Sequence, residues 1–192
     1  MLKSSIRLLA SLALLTTLLA PVAPARAEVF FTVRELLSAH FSKSERVGHI
    51  EVELSADRRA RLERKLGKAL GKARYTFFVA RSGGKVDGYA LFDQEKGQHE
   101  PIGFATFFDP RGRVTRVEVV AYREPYGDGI RSPRFRQQFV GRDASSGFGA
   151  KDGIDAISGA TISSRSLSVG VQRASLLLRE TLLNAETVIA KR

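Results

Sequence analysis

Between Tyr75 and Tyr122 four aromatic and β-branched runs follow one another with only short turn sequences between them. They are Tyr75 to Ala80, Val86 to Phe92, Ile102 to Phe108 and Val114 to Tyr122. Ser82-Gly83-Gly84 divides the first pair. Asp109-Pro110-Arg111-Gly112 divides the last pair, with proline where its fixed φ favours a turn and glycine where the chain reverses. Parallel neighbours need a crossover of a dozen or more residues, so short turns imply an antiparallel meander. In the last run Val117, Val119 and Ala121 alternate with Glu118, Val120 and Tyr122, the pattern of a sheet buried mainly on one face.

Helices flank the meander. Thr32 can cap a helix running to about His40, with Val33, Leu36 and Leu37 as its apolar face. Ser55 is a good cap for a second, with Asp57 in its first turn and Leu62, Leu66 and Leu70 as a narrow stripe among Arg and Lys. A long Gly- and Arg-rich segment, Arg123 to about Asp152, follows the sheet and holds a possible short helix at Arg134 to Phe139. Loops of this length in compact domains are usually functional or disordered. Last comes a long C-terminal helix with Leu167, Val171, Ala174, Leu178, Leu182 and Ala185 stepping by three and four. The expected fold is α+β: an antiparallel meander packed with helices. The expected organisation is a signal peptide at 1–27, an N-terminal helical segment at 28–73 and the principal domain at 74–192.

The signal reading rests on Lys3 and Arg7, the apolar run Leu8 to Leu19, and Ala25-Arg26-Ala27 ahead of Glu28. The run is short of the roughly 20 apolar residues of a spanning helix. Cleavage would leave an exported, soluble, periplasmic product with no later membrane span. The signal takes three of the 31 basic residues and none of the 20 acidic ones, so the net charge falls from +11 to +8. A basic exported protein suits an anionic surface or an acidic protein partner rather than nucleic acid, although a basic solvated surface explains the charge equally well. The chain has no cysteine, which excludes disulfides, thiolate metal sites and thiolate-ligated iron–sulfur clusters. His40, His49 and His99 are too scattered to pair on a helical face, so no metal site is expected. Redox chemistry in such a chain needs an organic cofactor.

One segment concentrates the chemistry: Asp155-Ala156-Ile157-Ser158-Gly159-Ala160-Thr161-Ile162-Ser163-Ser164. Gly159 and Ala160 let a bulky group approach the backbone. Thr161 sets a hydroxyl at the mouth of a helix, and Ser163 and Ser164 add hydroxyls that can cap it. A helix start with free N–H groups accepts a phosphate. Local physics alone does not separate this from an ordinary glycine turn before a capped helix.

The order Asp155…Ser158-Gly159-Ala160-Thr161 resembles the D-x-x-[ST]-G-A-T signature of the FMN-binding domain. That family includes the covalent-flavin subunits of the Rnf and sodium-pumping NADH:quinone reductase complexes, membrane regulators of nitrous oxide respiration, and small exported flavoproteins. The resemblance runs from about residue 74 to about residue 175. It takes in Val86 to Leu91, Val114 to Tyr122, the acidic turn Tyr122 to Gly127, and Phe135 to Arg142, which is similar to F-x-x-Q-F-x-G-[KR]. It implies that a flavin transferase places FMN on Thr161 as a phosphoester, with Asp155, Ser158, Gly159 and Ala160 as the recognised motif. The complex subunits carry Glu-Thr-Pro-Gly-Leu-Gly in the acidic turn. This chain has Glu124-Pro125-Tyr126-Gly127-Asp128-Gly129, which points to a stand-alone relative.

Tyr122, Tyr126 and Phe139 are candidates to pack near the flavin ring, with core packing the equal alternative. Glu124 is a candidate to hydrogen-bond the cofactor or to organise its turn. No acid–base constellation marks a catalytic site. The expected function is therefore electron transfer with a redox partner protein, membrane-bound or not. Two other readings stay open here: an FMN-dependent reductase of a small extracytoplasmic acceptor, and a binding module of the same fold without flavin.

Overall fold

The structure is a computed structural model that describes residues 28–124 and 127–184. The expected signal at 1–27, Tyr126 and Ala185 lie outside the described residues.

The meander forms as the turn chemistry dictates. Strands β3 (Arg74–Ser82), β4 (Lys85–Lys96), β5 (Pro101–Phe108) and β6 (Val114–Tyr122) pair antiparallel in sequence order. Gly83 and Gly84 both adopt positive φ in the β3–β4 hairpin, a backbone that other residues rarely take. At the β5–β6 turn Asp109 Oδ1 accepts the N–H groups of Arg111 (2.8 Å) and Arg113 (2.9 Å).

The segment expected to be purely helical adds two strands to the same sheet. β1 (Glu28–Val29) pairs with β6 and β2 (Arg46–Glu53) pairs with β3, giving the order β1-β6-β5-β4-β3-β2. β2 is an edge strand whose residues are almost all exposed, so it carries no buried-face alternation to read. Its charged residues Arg46, Glu51 and Glu53 suit an exposed edge.

Helices cover both faces. Helix α1 (Val33–His40) starts with a reciprocal capping box between Thr32 and Glu35. It buries Leu36 and Leu37, with Phe41 just beyond it, on the face formed by Ala80, Ala90, Ala105 and Phe107, while Val33 stays exposed. Helix α2 (Ala56–Leu66) and helix α4 (Thr161–Leu178) pack on the other face, where Leu62, Leu167, Val171, Ala174 and Leu178 meet Phe77, Leu91, Phe104 and Val119. The Leu62–Leu66–Leu70 stripe is interrupted. Gly67 takes a left-handed conformation and ends α2. Leu70 enters the core from the following loop, its backbone gripped by Glu63 Oε1 (2.9 Å) and Arg59 Nη2 (2.6 Å).

The alternation expected from Val117 to Tyr122 fails at one point. Phe104 pairs with Val119 but Gly103 pairs with Ala121, so Val120 is an extra residue, a β-bulge. The bulge exchanges faces beyond it: Tyr122 turns into the same core as Val117 and Val119. No glycine or proline marks the spot on β6 itself, although Gly103 stands opposite it on β5.

At the α4–sheet contact Gly170 lies against Phe104, whose ring carbon Cζ is 2.5 Å from where a Cβ would stand. Nearby, Tyr75 is buried, and that burial, with Asp93 adding to it, pushes its hydroxyl up to about 12. A raised folded-state value means a stabilising contribution that is full below the unfolded value near 10 and is lost as pH rises to about 12. Two pH units correspond to about 2–3 kcal/mol. Melting temperatures measured from about pH 9 to about pH 12 are expected to fall more steeply for the wild type than for Tyr75→Phe. Parallel curves would contradict this.

Candidate functional site

The Asp155–Thr161 motif sits on a loop that is held from below. Helix α3 (Pro133–Gln137) starts at Ser132, whose Oγ accepts the Phe135 N–H (3.2 Å), with Pro133 pre-set for the first turn. Phe135 and Phe139 meet edge to face at 5.4 Å, and Phe139 stacks on Phe148 at 6.5 Å. All three are buried, so Phe139 belongs to the floor of the loop.

Two polar side chains just past α3 then fix the loop backbone. Gln138 holds both backbone groups of Asp155: its Oε1 accepts the Asp155 N–H (2.8 Å) and its amide donates to the Asp155 carbonyl (3.2 Å). Arg142 donates to the carbonyls of Gln138 (2.9 Å), Gly147 (2.7 Å) and Asp152 (2.9 Å). Neither stood out as a site residue in the sequence, yet both belong to the stretch similar to F-x-x-Q-F-x-G-[KR]. A side chain matching a backbone group pair was the missing signal.

The motif then turns into α4. Gly159 adopts a φ of +76°, and a Cβ there would meet nothing within 4 Å. The Ala160 N–H donates to the Ile157 carbonyl (2.9 Å). Ala160 occupies the helix cap and offers no side-chain bond to the first turn. Thr161 is the first residue of α4 and is exposed, with no partner for its hydroxyl among the described residues. Ser158, Gly159 and Asp155 are exposed beside it.

Ser163 and Ser164 do not cap the helix, contrary to expectation. Both are buried and turned inward. Ser164 Oγ accepts the Ile157 N–H (3.1 Å) and closes the motif loop, and Ser163 Oγ pairs with the Tyr122 hydroxyl (2.9 Å). Each hydroxyl follows the helical geometry two and three positions after Thr161, which points it at the core rather than at the helix mouth.

Tyr122 is likewise buried, brought there by the bulge at Val120. Burial raises its pKa, the Ser163 bond pulls the other way, and Glu124 and Asp128 raise it further, so it stays protonated. Glu124 organises a turn: its Oε1 accepts the N–H groups of His99 (2.7 Å) and Glu100 (3.1 Å).

The acidic turn packs on the motif through two glycines. A Cβ on Gly127 would meet Tyr122 Oη (2.7 Å), Ser163 Oγ (3.0 Å) and the Ala160 methyl (3.5 Å). One on Gly129 would meet Ile157 at 3.1 Å. Along α4, on the stripe of Ser164, Ser168 and Gln172, an open cleft of about 350 Å³ lies against Phe148 and Ile154.

Gln138→Ala is expected to leave the fold nearly as stable, within about 1 kcal/mol, because water can replace the bonds at an exposed backbone. The loop would nevertheless lose its anchor at Asp155. Amide exchange through residues 153–160 is expected to accelerate several-fold without change in the sheet. Unchanged exchange there would show that the clamp does not set the loop.

The arrangement meets the steric needs of a phosphate ester. It has an exposed hydroxyl, open space over Gly159, a helix start free of side-chain caps, and Arg165 one turn further on. No cluster able to hold a metal ion occurs among the described residues.

The chain is 30% identical over 117 residues to a component of the proton-translocating ferredoxin:NAD(+) oxidoreductase complex of Clostridium ljungdahlii, covering 57% of this chain and 62% of the relative. The chain thus spans less than two thirds of that relative's length. The crystal structure of Shewanella oneidensis NqrC aligns with a TM-score of 0.48 at 18% identity, over 70% of this chain and 79% of that one. The family described as the FMN-binding domain matches residues 97–175, a span that takes in β5, β6, α3 and most of α4.

Proposed function

We propose that this chain carries FMN as a phosphoester on Thr161 and works as an electron-transfer domain outside the cytoplasm. The observation that carries the reading is the position of Thr161: an exposed hydroxyl, without a partner among the described residues, on the first residue of α4, inside the family match and inside the motif. The flavin supplies the redox chemistry, accepting electrons singly or in pairs.

The protein's part is presentation. Gln138 and Arg142 hold the loop, Ser164 closes it, and Gly159 leaves room above it. Asp155, Ser158, Gly159 and Ala160 surround Thr161 as the motif a flavin transferase reads. In the attachment the pyrophosphate of FAD breaks, AMP leaves, and Thr161 Oγ1 gives up its proton and takes the FMN phosphate. A covalent tie keeps the cofactor on a protein in a dilute compartment.

Export follows from the expected signal at 1–27, and the principal domain is proposed at 74–192. No described helix is long and apolar enough to cross a membrane. The redox partner proposed is a protein, and the relative's place in an oxidoreductase complex supports a membrane-associated one. The test is the intact mass of the wild type co-expressed with a flavin transferase. An increment of one FMN less a water is expected, and no increment sinks the reading.

A further inference from the structure

We infer that Asp128 sets the electrostatic environment of the group carried on Thr161 and lowers its reduction potential. The inference rests on the flavin-attachment reading given above.

The argument is one of placement. Gly127 and Gly129, the two neighbours of Asp128, both touch the motif: the first against Ala160 and Ser163, the second against Ile157. These contacts bracket the Ser158–Gly159 turn. The intervening residue is thereby held over the same end of the molecule as Thr161, and it begins the short helical turn Asp128–Arg131. That turn is anchored by Ile130, which is fully buried, so it is a fixed platform. The Asp128 side chain itself is exposed, and no described residue bonds or ion-pairs with its carboxylate. Its field reaches the site, since it acts on the Tyr122 hydroxyl that bonds Ser163.

The other charges at this end are committed differently. Glu124 is occupied by the N–H groups of His99 and Glu100. Asp155 is exposed, but lies in the motif itself and is held through its backbone by Gln138. Arg165 stands one turn along α4, where it favours the phosphate. Among the described residues, Asp128 is left as the unpaired carboxylate on a rigid support outside the motif.

Reduction of a flavin near neutral pH adds negative charge to it. A fixed carboxylate nearby opposes that charge and lowers the potential, with a reach of about 10 Å at moderate salt.

The test is a redox titration of the flavin-loaded wild type, Asp128→Asn, Asp128→Lys and Asp128→Glu, each first checked for full FMN mass. The midpoint is expected to rise in Asp128→Asn, to rise further in Asp128→Lys, and to stay with the wild type in Asp128→Glu. The spread should shrink at high ionic strength. Coincident midpoints in loaded proteins at low salt would overturn the assignment. So would failure of Asp128→Asn to take up FMN that the wild type accepts, which would place Asp128 in attachment instead. A wild type without FMN mass would overturn the attachment reading itself.

Discussion

Thr161→Ala is expected to abolish the FMN mass increment completely, while Thr161→Ser retains a hydroxyl and a measurable share of it. The prediction separates chemistry from folding because of where Thr161 sits. It is exposed at the first position of α4, and its side chain bonds nothing among the described residues. Substitution at such a surface site changes stability by about 0.5 kcal/mol or less. A folded Thr161→Ala protein without flavin is therefore the expected product, checked by intact mass alongside thermal melting. Flavin retained on Thr161→Ala would move the attachment to another hydroxyl. Ser158 is the exposed alternative nearby, whereas Ser163 and Ser164 are buried and bonded inward.

Arg173→Met is expected to destabilise the fold by about 3 kcal/mol, at the lower end of the range for breaking a buried ion pair. Arg173 comes from the middle of α4 and is nearly enclosed. Its guanidinium donates to Asp93 (3.0 Å from Nε), to Glu95 and to the Gln94 carbonyl (2.9 Å) on β4. Methionine would fill much of the volume but leave both carboxylates, which are almost fully buried, short of a partner. Lys72 (2.8 Å from Asp93) and Lys68 (on Glu95) remain and soften the loss, although each is about half exposed.

The same cluster fixes the sign of the acid response. Burial pushes the Glu95 carboxyl up, but Lys68 and Arg173 outweigh it and hold the group below its ordinary value. A depressed value gives a contribution present above the unfolded pKa and lost as pH falls through the folded one. Wild type should therefore lose more stability between neutral and acid pH than Arg173→Met. Equal melting temperatures for the two proteins at neutral pH would contradict the assignment.

Much of this molecule was legible because local chemistry and global fold agree. The four central strands announced themselves through β-branched runs and through Gly83, Gly84 and Gly112 at positive φ. Thr32 and Ser55 cap where capping residues should, and the stripe from Leu167 to Leu178 faces the sheet. What escaped is what lacks a periodic or compositional mark. β2 is an exposed edge with no apolar face. The bulge at Val120 is marked by no special residue on its own strand, yet it sends Tyr122 inward and so decides what Tyr122 does. The site divides in the same way. Thr161 was visible as a motif residue, and its exposure suits that role. Ser163 and Ser164 looked like caps because their residue type suits caps, but helical geometry turns them into the core. Gln138 and Arg142 act on backbone carbonyls and one backbone N–H within the following or preceding loop turns, and side-chain pairing with backbone leaves no trace in residue spacing.

Gly170 has a mechanical consequence. With the backbone of α4 resting directly on the Phe104 ring and Arg173 pinned three residues later, the helix has no room to slide, roll or lift. A group bonded to its first residue is mounted on a fixed post. The proposed flavin would sweep only as far as its own chain of single bonds above Gly159, and any longer travel between an electron source and a sink would have to come from moving the whole domain or from partners that visit this one end in turn.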